Sequence, residues 1–459
     1  MNGSQNPQFS PQARMRATRW RRLRQAAIAT SAAIALAVPA IPAAAVGPSA
    51  PYLVKDINPS GGSNPRNLTN ISGNLYFTAD DGTHGRELWK SDGTEGGTKR
   101  VRDIRPGAPG SRPRNLTNVR GTLFFSATDG THGRELWKSD GTSAGTQLVK
   151  DIDLSGGSHP QDLTALGRSL YFSADDGGKG RHLWKTDGTA GGTKLVADIY
   201  PPTGVVKDLV AANGLVFFLA FVPFPGDDAY AATLYASDGT AAGTRSLPGR
   251  CPQDLVGGGR LLYFGTAGCF TSDPDELWRT NGTPGGTKGL GVVDAYVLAN
   301  VKGTMFFGAG GWLRKSDGTA DGTVPVKKIT QIISITRVGD RAFVVAGCCS
   351  IYFGGELWVS DGSGAGTTKL RPRDCPTGLT DVGGVLYLAS GERIVDDVGD
   401  YSCDLELWTS DGTPSGTRLV ADLYAGGSSA PAELTNVGGT LYFSADDGTN
   451  GRELWRFVP

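Results

Sequence analysis

Short apolar runs of two or three residues alternate with glycine-centred turns along most of the chain, too closely spaced for helices. In residues 113–152 the runs are Leu123-Phe124-Phe125 and Leu136-Trp137, and the turns are Asp129-Gly130 and Asp140-Gly141. The pattern predicts four strands: A at Asn115–Val119, B at Thr122–Thr128, C at Arg134–Ser139 and D at Gln147–Ile152. Neighbouring residues in B and C are apolar instead of alternating with polar ones. Both faces of such a sheet must therefore be covered.

The unit recurs. ELWKSDGT at 87–94 returns at 135–142, followed by HLWKTDGT (182–189), TLYASDGT (233–240), ELWRTNGT (276–283), WLRKSDGT (312–319), ELWVSDGS (356–363) and ELWTSDGT (406–413), with ELWRF at 453–457. The turn aspartates, with Asn281 standing in for one, are spaced by 48, 47, 51, 43, 36, 44 and 50 residues. A four-stranded unit at that period cannot bury its faces alone and must stack on copies of itself. The expected fold is all-β: a single propeller in residues 52–459, of about nine blades, or eight if the 36-residue unit around Trp312 is incomplete. Tyr52–Ile57 reads as a D strand without A to C before it, and Glu453-Leu454-Trp455 as a C strand without D after it. Pairing the two completes one blade from both ends and closes the ring, which disfavours an open solenoid.

Over residues 52–457 the chain resembles the bacterial proteins named for ELWxxDGT repeats. The resemblance implies an exported propeller and carries no catalytic residues with it. The first three units and the last match the motif well. The middle ones depart from it, with Tyr235 for Trp, Asn281 for Asp and Arg314 in the Trp position.

Charge excludes one class of partner. With 45 basic and 45 acidic residues, there is no net field to draw in nucleic acid or an anionic membrane. Residues 1–45 read as an export signal: six arginines between Arg14 and Arg24, an apolar stretch from Ala26 to Ile41, then Ala43-Ala44-Ala45. That stretch is short for a span, so the processed chain is expected to be a monomer without a membrane helix, secreted or associated with the cell envelope, with 46–51 as a short linker. Six cysteines fit an oxidising compartment. Strand alternation puts Cys251 and Cys375 on D–A connections and Cys269, Cys348, Cys349 and Cys403 on B–C connections, all on one face. The expected bridges are Cys251–Cys269, Cys375–Cys403 and a vicinal Cys348–Cys349.

The same face carries the candidate sites. Asn67, Asn115, Asp162, Asp208, Asp254 and Glu433 each precede the A-strand leucine and should ring one mouth of the central channel, where a cation or sugar hydroxyls could bind. The plainer reading is a hydrated polar ring, in which mutual repulsion raises the acids' pKa values. Phe221, Phe224 and Tyr230, in one B–C insertion, make a stacking edge for a glycan or peptide, or fold inward. Glu392, Asp396, Asp397 and Asp400, in another, have the oxygen chemistry of a Ca²⁺ site, or form a solvated acidic loop. No other cofactor is implied. His84 and His132 occupy equivalent turns, with His182 near the same place in the third unit, but no third ligand recurs with them. The repeated Trp is expected to pack between blades, and the SDGT aspartate to serve its turn. No GxSxG, HExxH, P-loop or dinucleotide fingerprint is present. The functional expectation is a non-enzymatic adhesion module for cell-surface glycan or protein, with a carbohydrate hydrolase or lyase using the channel acids as the alternative.

Overall fold

A computed structural model describes residues 50–459 except 179, 200–203, 224–229, 250, 267–275, 348–354, 371–374 and 396–400. Unit 1 runs A Arg66–Ile71, B Asn74–Asp80, C Arg86–Ser91 and D Lys99–Arg102, an antiparallel meander. Unit 2 follows at A Arg114–Val119, B Thr122–Thr128, C Arg134–Ser139 and D Gln147–Lys150, within two residues of every predicted boundary. Among the described residues the same meander recurs in seven sheets of four strands and one of eight. The larger sheet is two such units joined by a parallel pairing of Arg181 with Val205. The short unit around Trp312 is complete: its strands are Tyr296–Val301, Thr304–Ala309, Trp312–Ser316 and Val324–Lys328. It is short because its B–C connection shrinks to Gly310-Gly311, both at positive φ. Among the described residues no helix is long and apolar enough to cross a membrane.

The two-sided apolar strands cover both neighbours. Tyr76 and Leu88 of unit 1 pack with Leu123, Phe125, Ala127 and Trp137 of unit 2. Leu75, Phe77 and Trp89, on the opposite face, pack with Tyr442 and Leu454 of the last unit and with Val54 and Ile57 near the N-terminal strand. That strand, Tyr52–Lys55, pairs antiparallel with Arg452–Phe457. Each A strand also lies beside the A strands of the units before and after it, and that of unit 1 lies beside Ala432–Val437. The architecture is a β-propeller, with A innermost.

The ELW glutamate has a structural task. Glu87 is fully buried and accepts from the amides of Ile104, Arg105 and Ser111 and from the Ser111 hydroxyl. These donors lie on the connection leading into unit 2. Glu135 does the same with Ile152 and Ser158, Glu406 with Leu423 and Ser429, and Glu453 with Ile57, Asn58 and Ser63. In unit 3, His182 takes the position, and its Nδ1 accepts from Ile199.

Burial lifts the Glu135 carboxyl from 4.5 to about 7, against the pull of the Ser158 donors. A carboxyl whose folded pKa stands above its unfolded one favours the folded state while it is protonated. That stability is complete below pH 4.5 and is lost as pH rises through 7. Unfolding free energy should therefore fall between pH 5 and pH 8, with Glu135 contributing on the order of 3 kcal/mol. Glu135→Gln should flatten that slope in denaturant titrations at the two pH values; an unchanged slope contradicts the assignment.

The SDGT turn is built by its own side chains. Asp92 Oδ1 accepts from the amide and hydroxyl of Thr94, Ser91 Oγ accepts from the Gly93 amide, and Thr98 Oγ1 donates to the Thr94 carbonyl. Basic residues then tie turns to the unit before: Lys138 Nζ donates to the Gly188 carbonyl at 2.8 Å, and Arg456 Nη1 to the Gly93 carbonyl at 3.3 Å.

Candidate functional site

The six polar residues ahead of the A-strand leucines share one backbone feature. Arg66 pairs with Thr78 and Thr69 with Tyr76, so Asn67 and Leu68 stand opposite Phe77 alone, which makes a β-bulge. Asn67, Asn115, Asp162, Asp208, Asp254 and Glu433 all have φ between +53° and +59°. Val297 and Gly378 fill the same position in two other units, at φ +52° and +64°. Asn, Asp and Gly tolerate this left-handed conformation best, so the backbone accounts for much of the polar character read from the sequence.

Four of the six side chains are bonded into the fold. Asn67 Nδ2 donates to Thr78 Oγ1 at 3.3 Å, and Asn115 Nδ2 to the Pro160 carbonyl of the next unit at 3.3 Å. Asp162 Oδ2 accepts from Ser173 Oγ at 3.1 Å, and Glu433 Oε2 from the Leu68 amide at 3.4 Å. The Asp162 carboxyl is raised mainly by burial, with the Asp208 charge adding to it, so repulsion among the acids is the smaller cause. Thr164 Oγ1 donates to the Leu209 carbonyl and Thr435 Oγ1 to that of Leu68, which links the A strands along the inner edge. Asp208 and Asp254 are exposed and make no side-chain hydrogen bond among the described residues.

On units 1 and 2 the same edge is basic, which the sequence reading did not pick out. Arg66, Arg112 and Arg114 are exposed and donate no side-chain hydrogen bond among the described residues. The nearby Arg86 is occupied: its Nη1 donates to the Asn64 and Thr78 carbonyls at 2.8 and 2.9 Å. The signal was available in the runs Ser63-Asn64-Pro65-Arg66-Asn67 and Ser111-Arg112-Pro113-Arg114-Asn115, whose arginines give way to His159 and Gln161 in the next unit.

The insertions differ from the loops expected of them. B and C strands run on as hairpins, Leu215–Pro223 against Tyr230–Ser237 and Val385–Val395 against Tyr401–Ser410. Phe221 sits in a strand, half-buried, with Lys207 Nζ 4.1 Å from its ring centre. Tyr230 begins the facing strand, and Phe224 lies outside the described residues. Glu392 is an exposed strand residue opposite Asp404, while Asp396, Asp397 and Asp400 lie outside the described residues. His84 Nδ1 meets Asp81 Oδ2 at 2.8 Å, and His132 Nδ1 meets Asp129 Oδ2 at 2.7 Å, each within its own turn. No group of three His, Cys, Asp or Glu placed to hold a metal occurs among the described residues.

Cys375 and Cys403 form a disulfide, as expected, and Cys251 is disulfide-bonded too. Cys269, Cys348 and Cys349 lie outside the described residues. Both described D–A cysteines follow the shortest D strands, Arg245–Ser246 and Thr368–Lys369, where the ladder supplies least.

No family model and no curated protein matches the chain. Among solved structures it is similar to a puromycin hydrolase S511A mutant complexed with PGG, with 13% identity and a TM-score of 0.42 over 85% of this chain and 60% of that one. It is similar to the β-propeller domain of the Trilobed protease from Pyrococcus furiosus, with 10% identity and a TM-score of 0.42 over 78% of this chain and 97% of that one. It is similar also to a eukaryotic initiation factor, with 10% identity and a TM-score of 0.48 over 77% and 88%. The chain thus spans about 60% of the length of the puromycin hydrolase structures. The expectation of a non-enzymatic adhesion module, with its carbohydrate-hydrolase alternative, is corrected here. The matched structures include peptidases and a protease's propeller, and the likeness is too weak to assign an activity in place of the one withdrawn.

Proposed function

We propose that the chain is a closed nine-bladed propeller, exported from the cell, whose inner mouth recognises a peptide. In favour of closure is the pairing of Tyr52–Lys55 with the last C strand, together with the apolar cluster that joins the last unit to the first. In favour of export are the arginine-rich, alanine-rich N-terminus and the disulfide at Cys375–Cys403. The observation that carries the ligand class is charge segregation along one inner edge. Exposed Arg66, Arg112 and Arg114 lie at or just before the bulged starts of the A strands of units 1 and 2, and exposed Asp208 and Asp254 lie at the same bulge in units 4 and 5. A chain with a carboxylate at one place and an ammonium or guanidinium at another answers both patches, and bulged backbone between them offers amide partners. A net-neutral protein gains specificity from such local complementarity and not from its overall field.

Calorimetric titration with tetra-alanine, free at both ends, and with the same peptide acetylated and amidated tests this. The free peptide should bind at least about tenfold more tightly, and Asp208→Asn with Asp254→Asn should remove much of that preference. Equal binding of the two peptides, or binding of neither, contradicts the reading.

A further inference from the structure

The arginine patch is more than one charged end of the mouth. Arg66, Arg86, Arg112 and Arg114 line one groove with Asp80 and the apolar wall of Pro109. Four guanidinium groups thus line the groove with one carboxylate, Asp80, which already accepts from the Gly82 amide, while the charge of Glu433 also reaches Arg86. Arg86 is held by carbonyls, which leaves Arg66, Arg112 and Arg114 with free forks.

Nothing in the fold requires these three arginines. Position 112 has φ +48°, and the matching residues of the flanking units are Asn64 at +49° and His159 at +48°, so the backbone there is left-handed whatever stands in it. Arginine gains nothing from that conformation, where asparagine is favoured. Positions 66 and 114 correspond to Gln161 and Gln253 in two other units, beside the same bulge. The cost of crowding them falls on their neighbours. Arg134 is pushed down to about 10, by burial first and then by Arg114 and Arg112, and Arg86 is lowered by burial and then by Arg66. An anion seated between the forks removes that repulsion.

We propose that Arg66, Arg112 and Arg114 form a carboxylate-binding site, filled by the C-terminal group of the peptide; this rests on the peptide reading above. The planar forks suit bidentate pairing with a carboxylate, and the groove they line is open to solvent.

The test compares wild-type protein with Arg112→Gln/Arg114→Gln, both checked by thermal melting, since exposed side chains should leave the fold intact. N-acetyl-tetra-alanine as the free acid should bind wild-type protein about tenfold or more tightly than its amide, and the double variant should lose that difference. Acid and amide binding alike in wild-type protein, or an unchanged difference in the variant, overturns the proposal. Citrate is titrated alongside to separate the two readings. If no peptide binds but citrate binds wild-type protein and not the variant, the peptide reading falls, and the C-terminal assignment falls with it, while an anion site at these arginines stands. If neither peptide nor citrate binds, both fall.

Discussion

Glu453→Ala should destabilise the protein by about 3 kcal/mol or more, although the residue lies near the end of the chain. Its carboxylate takes the amides of Ile57, Asn58 and Ser63 and the Ser63 hydroxyl, which lie 390 or more residues away in sequence. Alanine orphans these donors in a region where Ser63 and Glu453 are both fully buried, and each buried donor left without a partner costs about 1–3 kcal/mol. The clasp also fastens the connection between the N-terminal strand and unit 1, so its loss loosens the joint that brings the two ends of the chain together. Glu356 is the internal control. It has the same place in its own ELW motif, but it meets Lys369 and Trp358 and is partly exposed. Glu356→Ala should cost well under half as much, in line with an exposed pair. Denaturant unfolding of both variants checks this, and equal losses would remove the clasp from the account.

Removing the disulfide should be the next largest effect. Cys375 and Cys403 are 28 residues apart, and a bridge over a loop of that size stabilises by about 3 kcal/mol through the unfolded chain's lost freedom. Cys375 lies two residues before the A strand Thr377–Val382 of one unit, and the D strand of the unit before, Thr368–Lys369, has only two residues. Cys375→Ala/Cys403→Ala should lower the denaturation midpoint by a corresponding amount, and reductant should lower the wild-type midpoint at least as far, since Cys251 is bonded as well. A midpoint indifferent to both would show that packing between the units suffices there.

The fold was legible because two signals agreed. Paired apolar residues such as Leu123-Phe124-Phe125 set the strands and demanded cover on both faces, and the SDGT turns fixed where each meander reverses. The candidate site was legible only in part. Asn67 and its equivalents share one backbone position, and its common cause is a left-handed bulge, which sequence alone does not separate from a ligand ring. The glutamate clasp was hidden because Glu87 and Ser111 are 24 residues apart and meet only once the connection folds back. Its trace was the recurrence of Ser63, Ser111, Ser158 and Ser429, all fully buried, two residues ahead of a proline. The arginine groove was missed because averaging over the repeat suppresses residues that occur in only two units. The insertions looked like loops because Gly391 and Pro223 interrupt the alternating pattern, yet the hairpins carry the ladder through both.

The most direct test of the peptide-recognising mouth is hydrogen exchange with and without saturating tetra-alanine. Slowed exchange should appear at the bulged starts of the A strands in units 1 to 5, around Leu68, Leu116, Leu163, Leu209 and Leu255, with the SDGT turns on the opposite face unchanged. Protection confined to those turns, or none at a concentration where calorimetry reports binding, would contradict the account.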